Sequence, residues 1–154
     1  MHPYPHLYTA AATGSADGSV VISSPGLPEL HTAPPPEFDG PGGVWSPETL
    51  LCASLADCFV LSFRAVARAS RLGWSELTCR VEGVLDRVDG IGRFSRYTTF
   101  ASLTVAAGVD VDKARKLLEK ADHVCLISNS LRAEGKLVAE VVTVDCDEKI
   151  GIDA

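Results

Sequence analysis

The strongest structural signal in the chain lies between Ser46 and Phe63, which read SPETLLCASLADCFVLSF. Ser, Pro and Glu in that order predict a helix start, because Ser accepts a bond from a free N–H, Pro fits the first helical position and Glu suits the helix dipole. Apolar residues then occupy nearly every face, so we expect the helix to be enclosed on most sides. We predict one long helix from Ser46 to about Leu72, ended by Gly73.

The chain before this helix predicts short strands followed by a long loop. Segments 7–12 and 19–23 flank Gly14-Ser15-Ala16-Asp17-Gly18, a turn-rich sequence suited to a hairpin. Residues 25–43 are crowded with Pro and Gly, which disfavour helix and central strand alike. We therefore expect residues 25–43 to form a surface loop.

The chain after the helix predicts a hairpin, a second helix and a last strand. Segments 77–88 and 94–105 alternate as strands do, and Asp89-Gly90-Ile91-Gly92 joins them. Between Val111 and Ala121 apolar residues recur at helical spacing, opposite a basic face, and 137–144 reads as a closing strand. This order predicts an α+β fold, and 154 residues suit a single domain over 1–154.

Composition and charge narrow the class of protein. The net charge is -6, and no Lys or Arg precedes Arg64, so the chain lacks the dense basic face that nucleic acids require. We expect no membrane-spanning segment, because no apolar run approaches the roughly 20 residues that cross a bilayer, and the N-terminus does not resemble a signal peptide. Five cysteines, an odd number without short paired spacings, fit reduced thiols better than a secreted disulfide framework. We expect a cytoplasmic protein with no membrane partner.

The cysteines are the residues on which chemistry could depend, although free Cys is most often a small buried hydrophobe. Cys79 alternates with strand residues on the inward side, and Cys52 lies about 120° around the helix from Cys58, so both are expected in the core. Cys146 stands between two Asp residues whose charge disfavours a thiolate. Spacing alone does not connect Cys58 with Cys125, so simple packing and a redox pair both stay open.

Several motifs resemble those of the OsmC and organic hydroperoxide resistance family. The segments concerned are Pro35-Pro36-Glu37-Phe38 with Gly40-Pro41-Gly42-Gly43, Ser46-Pro47-Glu48-Thr49-Leu50-Leu51, Ala56-Asp57-Cys58-Phe59, and His123-Val124-Cys125 with Ser128-Asn129. They are similar to the family's Gly-rich loop, its helix start and its first and second reactive cysteines. The resemblance implies antiparallel sheets around a long central helix, a second amphipathic helix and an intertwined homodimer.

The resemblance also implies a cysteine-based peroxidase that needs no cofactor. In that activity Cys58 attacks an organic hydroperoxide and becomes a sulfenic acid, and Cys125 resolves it to a disulfide. An external dithiol, for instance of the lipoyl type, then restores both thiols. Glu48 matches the family's catalytic glutamate. Because Glu48 and Cys58 are roughly 15 Å apart along one helix, they can share a site only if Glu48 comes from a second copy running antiparallel.

One position departs from the family pattern. The family carries an arginine in a loop similar to residues 14–18, held by the helix-start glutamate, and this sequence has Ala16 there. Only a thiolate is nucleophilic, and an unperturbed cysteine with a pKa of about 8.5 is only a few per cent ionised at neutral pH. Slower peroxide reduction is therefore expected. Other sources of positive charge are His6, His31, Arg93 and Arg96.

Two other functions stay open. The first is an OsmC-like dimer that is not a peroxidase and binds a small hydrophobic ligand, suggested by Ala16 and by the apolar neighbours of Cys58. The second is a metal protein, which the sequence disfavours because it contains no Cys-x-x-Cys motif and the closest pairs, Cys52 with Cys58 and His123 with Cys125, do not follow common zinc spacings. We expect no metal.

Overall fold

A computed structural model describes residues 2–145 of the chain. The described part contains two α-helices and two three-stranded sheets, which confirms the α+β class. The chain divides into two compact units, and the boundary between Leu51 and Cys52 falls inside the long helix. The single domain over residues 1–154 stays a prediction.

The first unit contains a small antiparallel sheet. Its strands are β1, Ala11–Thr13, β2, Val20–Ser23, and β3, Leu30–Thr32, in that spatial order. The hairpin around residues 14–18 is confirmed, since β1 and β2 pair on either side of it. The expectation of loop throughout 25–43 was wrong at β3, which pairs with β2. The prolines of this segment flank β3 and do not lie within it. Leu30, His31 and Thr32 therefore each keep the backbone N–H that strand pairing needs.

The long helix α1 spans Pro47–Ala69 and begins with a reciprocal cap. The backbone N–H of Thr49 donates to Ser46 Oγ at 3.2 Å, and the backbone N–H of Ser46 donates to Thr49 Oγ1 at 2.9 Å. Such an exchange satisfies two donors that a helix start leaves unpaired. The predicted end at Leu72 was three residues too late, because Arg71 adopts a left-handed φ of 53° and Leu72 N–H closes onto the carbonyl of Ala67 at 3.0 Å.

The second unit is built on a sheet ordered β4-β5-β6, with β4 at Glu76–Val88, β5 at Ile91–Ala106 and β6 at Glu134–Val144. A two-residue turn at Asp89 and Gly90, both with positive φ, joins β4 to β5. Helix α2, Val111–Val124, connects β5 to β6. The sheet is mixed, so the expectation of antiparallel sheets was wrong for one pair: β6 runs parallel to β5, because α2 returns the chain to the end where β5 began.

The core of the second unit lies between the two helices and one face of this sheet. Phe59, Phe63 and Val66 of α1 pack in one cluster with Leu103 of β5 and Leu118 of α2. The alternation of β5 is regular, since Tyr97, Thr99, Ala101, Leu103 and Val105 are all buried. This packing confirms that α2 turns its apolar face inward and leaves its basic face in solvent.

Helix α1 carries more apolar surface than the described chain covers. Contrary to the expectation from the sequence, it is long and apolar enough to cross a bilayer, with 23 residues and a mean hydropathy of 1.8 over its most apolar 18-residue window. Core helices pass the same test of length and composition. Only 28% of that window is buried, and Leu61 is 51% exposed. An apolar face of α1 is therefore exposed in the described part of the chain.

Candidate active site

Two elements of the second unit bring the predicted cysteine pair together. Cys58 lies on α1 next to the buried Phe59, and Cys125 caps the C-terminus of α2 with only 2% of its surface exposed. An interaction with Cys58 contributes to raising the pKa of Cys125, so the two side chains lie close enough to affect ionisation. Two residues far apart in sequence are thus neighbours in the fold.

The turn after Cys125 explains the Ser128-Asn129 motif as a helix cap. Ser128 Oγ donates to the carbonyl of Cys125 at 2.9 Å, and Asn129 Nδ2 donates to the carbonyl of His123 at 2.9 Å. The backbone N–H of Asn129 also donates to the carbonyl of Cys125, at 3.1 Å. The last carbonyls of α2 would otherwise lack partners, so these two side chains fix the position of Cys125 at the helix end.

Burial sets the ionisation of the second sulfur. It raises the pKa of Cys125, while hydrogen bonds from the backbone N–H and the hydroxyl of Ser128 lower it, and the hydrogen bond and charge interaction with Cys58 raise it again. The net direction is upward, so Cys125 rests as a neutral thiol. Ser128 is the group that favours its thiolate.

Three further titratable groups surround the pair, and sequence reasoning did not place them there. Burial raises the pKa of Cys79 to about 11, with smaller contributions from Cys125 and Asp122. Burial also raises the pKa of Tyr97, against a hydrogen bond from Ser128 that lowers it, and raises the pKa of Asp122. Two sequence signals could have placed these groups near Cys125: the inward alternation of β5, and the position of Asp122 one turn before Cys125. Cys79 packs against the core cluster, as predicted.

The predicted catalytic glutamate has an unusual environment in the first unit. Glu48 is half-buried at the start of α1, and its Oε2 is buried without a hydrogen-bond partner among residues 2–145. Ala16 is exposed in the loop between β1 and β2, where the resemblance places the family's arginine. Burying a carboxylate oxygen without a hydrogen-bond partner costs free energy of folding. Glu48 Oε2 is such an acceptor, since no donor among residues 2–145 bonds it.

Cys52 and Cys146 are the remaining cysteines. Cys52 is half-buried, and its Sγ lies close to Gly83 of β4, which fits the expected core position. Cys146 lies outside the described residues. Among residues 2–145 no group of three or more His, Cys, Asp or Glu side chains is arranged to hold a metal ion.

Comparison with known proteins identifies the family. The model of the OsmC-like protein family matches residues 40–140. The chain belongs to the OsmC-like family. An organic hydroperoxide resistance protein of Xanthomonas axonopodis pv. citri is 34% identical over 131 residues, covering 82% of this chain and 88% of that protein. An uncharacterised protein of Acinetobacter baylyi is 33% identical over 141 residues, covering 89% of this chain and 94% of its own length.

Solved structures of OsmC-like proteins have the same fold. The crystal structure of an organic hydroperoxide resistance protein OsmC from Legionella pneumophila matches with a TM-score of 0.66 at 28% identity, covering 90% of this chain and 98% of that one. A protein from Elizabethkingia anophelis matches with a TM-score of 0.75 at 23% identity, covering 93% and 100% of the two chains. The predicted OsmC-like fold is therefore confirmed.

Proposed function

We propose that this OsmC-like protein reduces organic hydroperoxides with Cys58 as the attacking thiol and Cys125 as the resolving thiol. The closeness of Cys58 on α1 to Cys125 at the end of α2, where Cys58 contributes to raising the pKa of Cys125, is the observation that carries the proposal. Family membership and the Xanthomonas relative, whose name refers to organic hydroperoxide resistance, support the substrate class. Reduced thiols suit the cytoplasm, where we expect the reaction to occur.

The chemistry proceeds in three balanced steps. The Cys58 thiolate attacks the terminal oxygen of the hydroperoxide, the O–O bond breaks, and the alkoxide takes a proton and leaves as an alcohol. The Cys125 thiolate then attacks the sulfur of the Cys58 sulfenic acid, and hydroxide leaves and becomes water by taking a proton. An external dithiol, for instance of the lipoyl type, opens the disulfide by exchange and is itself oxidised.

The proposed active unit is a homodimer in which Glu48 comes from a second copy of the chain. The exposed apolar face of α1 gives such a copy a surface to cover, and the family is consistent with dimeric assembly. The unpartnered Oε2 of Glu48 fits a carboxylate whose positive partner, the family's arginine, is replaced by Ala16. We expect the thiolate of Cys58 to be assisted less than in relatives that keep that arginine.

The test uses one equivalent of an organic hydroperoxide on the fully reduced protein in the absence of reductant. We expect mass spectrometry to find a Cys58–Cys125 disulfide in the wild type. We expect a trapped sulfenic acid at Cys58 in Cys125→Ser and no oxidation at either position in Cys58→Ser. Cys52→Ser is the matched control, since it changes another α1 cysteine outside the pair. Unmodified thiols in the wild type would exclude the reaction.

A second candidate function is the binding of a small hydrophobic ligand without turnover. The absence of a positive side chain at position 16 and the burial that raises the pKa of Cys125 favour it. It predicts slow reaction of Cys58 with hydroperoxides and a rise in melting temperature with apolar ligands. A fast Cys58–Cys125 disulfide together with no ligand-dependent shift would decide against it.

A further inference from the structure

One flank of α2 carries a row of basic side chains that ends beside the second sulfur. This basic row consists of Lys113, Lys116, Lys120 and His123, all of them exposed. At about 100° per residue the four positions fall within about 80° of the helix circumference, and at about 1.5 Å per residue the row is about 15 Å long. His123 is two residues before Cys125, so the row runs along the helix toward the redox pair.

The lysines of the basic row keep their charge available to a partner. Lys113 Nζ donates to the carbonyl of Ser70 at 2.8 Å, which holds the first end of the row against the end of α1. Within residues 2–145 neither Lys116 nor Lys120 forms an ion pair. The whole chain has a net charge of -6, so the row is a local reversal of sign. It attracts negative groups to this flank while the rest of the surface repels them.

The end of the basic row next to the sulfurs is apolar. Val124 and Leu126 flank Cys125 in sequence and are 40% and 68% exposed, whereas Cys125 is 2% exposed. Two exposed aliphatic side chains beside a buried thiol offer a contact surface to an alkyl chain, which gains free energy by leaving water. The surface therefore combines a charged row that fits carboxylates with an apolar end that fits a hydrocarbon.

We propose that the basic row and this apolar end form the docking surface for the protein that reduces the disulfide, an acidic protein that carries a dithiol on an alkyl arm. Carboxylates of that protein face Lys116 and Lys120, and the arm reaches the sulfurs across Val124 and Leu126. The inference rests on the proposed function, because it names the partner for the last step of that reaction.

The reduction itself is a two-step exchange. One thiolate of the dithiol attacks a sulfur of the disulfide, which forms a mixed disulfide and releases the other protein sulfur to take up a proton. The second thiolate of the dithiol then closes a disulfide within the arm and releases the remaining protein sulfur, which is protonated in turn. Two electrons and two protons thus pass from the dithiol to the protein. Docking raises the local concentration of the arm without changing this chemistry.

Two other occupants fit the surface less well. A second copy in a two-fold contact would place one basic row against another, and like charges facing each other disfavour association. A nucleic acid requires a dense basic face, and the row contains three lysines with Asp112 and Glu119 on its border. A protein that supplies a few carboxylates and an alkyl arm matches both parts of the surface.

The test uses two synthetic peptides that each carry one dihydrolipoyl-lysine, flanked by glutamates in one peptide and by glutamines in the other. The protein is oxidised with one equivalent of organic hydroperoxide, and mass spectrometry follows the loss of the disulfide. At low ionic strength we expect the acidic peptide to reduce the wild type about tenfold faster than the neutral peptide, and salt should remove the difference. Equal rates with the two peptides would overturn the inference.

Charge reversal locates the docking surface on α2. Lys116→Glu and Lys120→Glu should each lower the ratio of the two peptide rates about threefold, the size expected for an exposed charge pair. Arg115→Glu is the matched control, because Arg115 is an exposed cation about 100° around the same helix from Lys116 and outside the basic row. Its ratio should stay at the wild-type value. Uncharged dihydrolipoamide should reduce all these variants at one rate, and an equal loss of ratio in Arg115→Glu would refute the assignment to the basic row.

Binding to the reduced protein tests the surface apart from the redox chemistry. Fluorescence anisotropy with the labelled acidic peptide should show about threefold weaker binding to Lys116→Glu than to Arg115→Glu. If hydroperoxide produces no disulfide in the wild type, the proposed function fails, and this comparison still decides whether the basic row binds an acidic partner. A single-stranded oligonucleotide that binds more tightly than the acidic peptide at equal ionic strength would overturn the choice of partner.

Discussion

Replacing Gly83 by Ala tests how closely α1 approaches the β4–β5 hairpin. A Cβ at position 83 would lie 2.7 Å from Cε1 of Phe94 and 3.0 Å from Sγ of Cys52. Carbon atoms in contact prefer about 3.5–4.0 Å, so the ring must move by most of an ångström. Inserting a methyl group into such a site costs about 1–3 kcal/mol. The lower chain entropy of Ala returns about 0.5–1 kcal/mol in a strand.

We therefore expect Gly83→Ala to lose about 1–2 kcal/mol of the free energy of unfolding. For a domain of this size, about 2–4 °C per kcal/mol converts the loss into a fall in melting temperature of about 2–8 °C. Calorimetry and urea unfolding at one fixed protein concentration would measure both quantities. Gly92→Ala on the same hairpin is the matched control, because nothing lies within 4 Å of its added Cβ.

A double-mutant cycle with Phe94→Leu identifies the contact responsible. If the aromatic ring causes the strain, Gly83→Ala should cost less in the Phe94→Leu background than in the wild type. The reasoning is refuted if Gly83→Ala unfolds at the wild-type temperature, or if Gly92→Ala is destabilised equally. If Gly83→Ala costs as much in the Phe94→Leu background as in the wild type, the strain comes from the contact with Cys52.

Three other predictions concern charge and capping. The Cys79 thiol keeps its proton to a pKa of about 11 when folded against 9.0 for a free thiol, so unfolding releases a proton between these values and stability should fall as pH rises through them. Cys79→Ala should flatten that part of the curve of melting temperature against pH. Asp110→Ala should cost about 1 kcal/mol in urea unfolding, because Asp110 Oδ1 accepts the Lys113 N–H at 2.9 Å at the start of α2, whereas Asp110→Asn should retain stability. Ala16→Arg should accelerate alkylation of Cys58 near neutral pH, since a positive charge favours a thiolate, and equal rates would contradict the role given to that position.

Local signals predicted most elements of the fold because each depends on neighbours in sequence. The cap at Ser46 depends on residues within one helical turn, and the Asp89-Gly90 turn sets the register of the β4–β5 pair. The parallel pairing of β5 with β6 has no such local determinant. It depends on how α2 packs across the sheet, which a single sequence reports weakly.

The candidate site shows the same difference between residues that local sequence predicts and contacts that it does not. The resemblance named Cys58, Cys125 and Glu48, but spacing could not tell that the first two side chains are neighbours in the fold. Tyr97 was one inward residue among several on its strand, and the interaction with Ser128 that lowers its pKa involves the turn after α2. Contacts between distant segments like this one follow from the completed fold and leave no local pattern.

Because β6 is the last strand to be synthesised, the parallel β5–β6 pairing forms late during translation. Cys58 precedes Cys125 by 125 − 58 = 67 residues, and β6 follows both. At about 5–20 residues per second, Cys125 is made about 3–13 s after Cys58. The sheet cannot close until the last strand has been made. A newly synthesised chain therefore carries Cys58 for several seconds before Cys125 has been made.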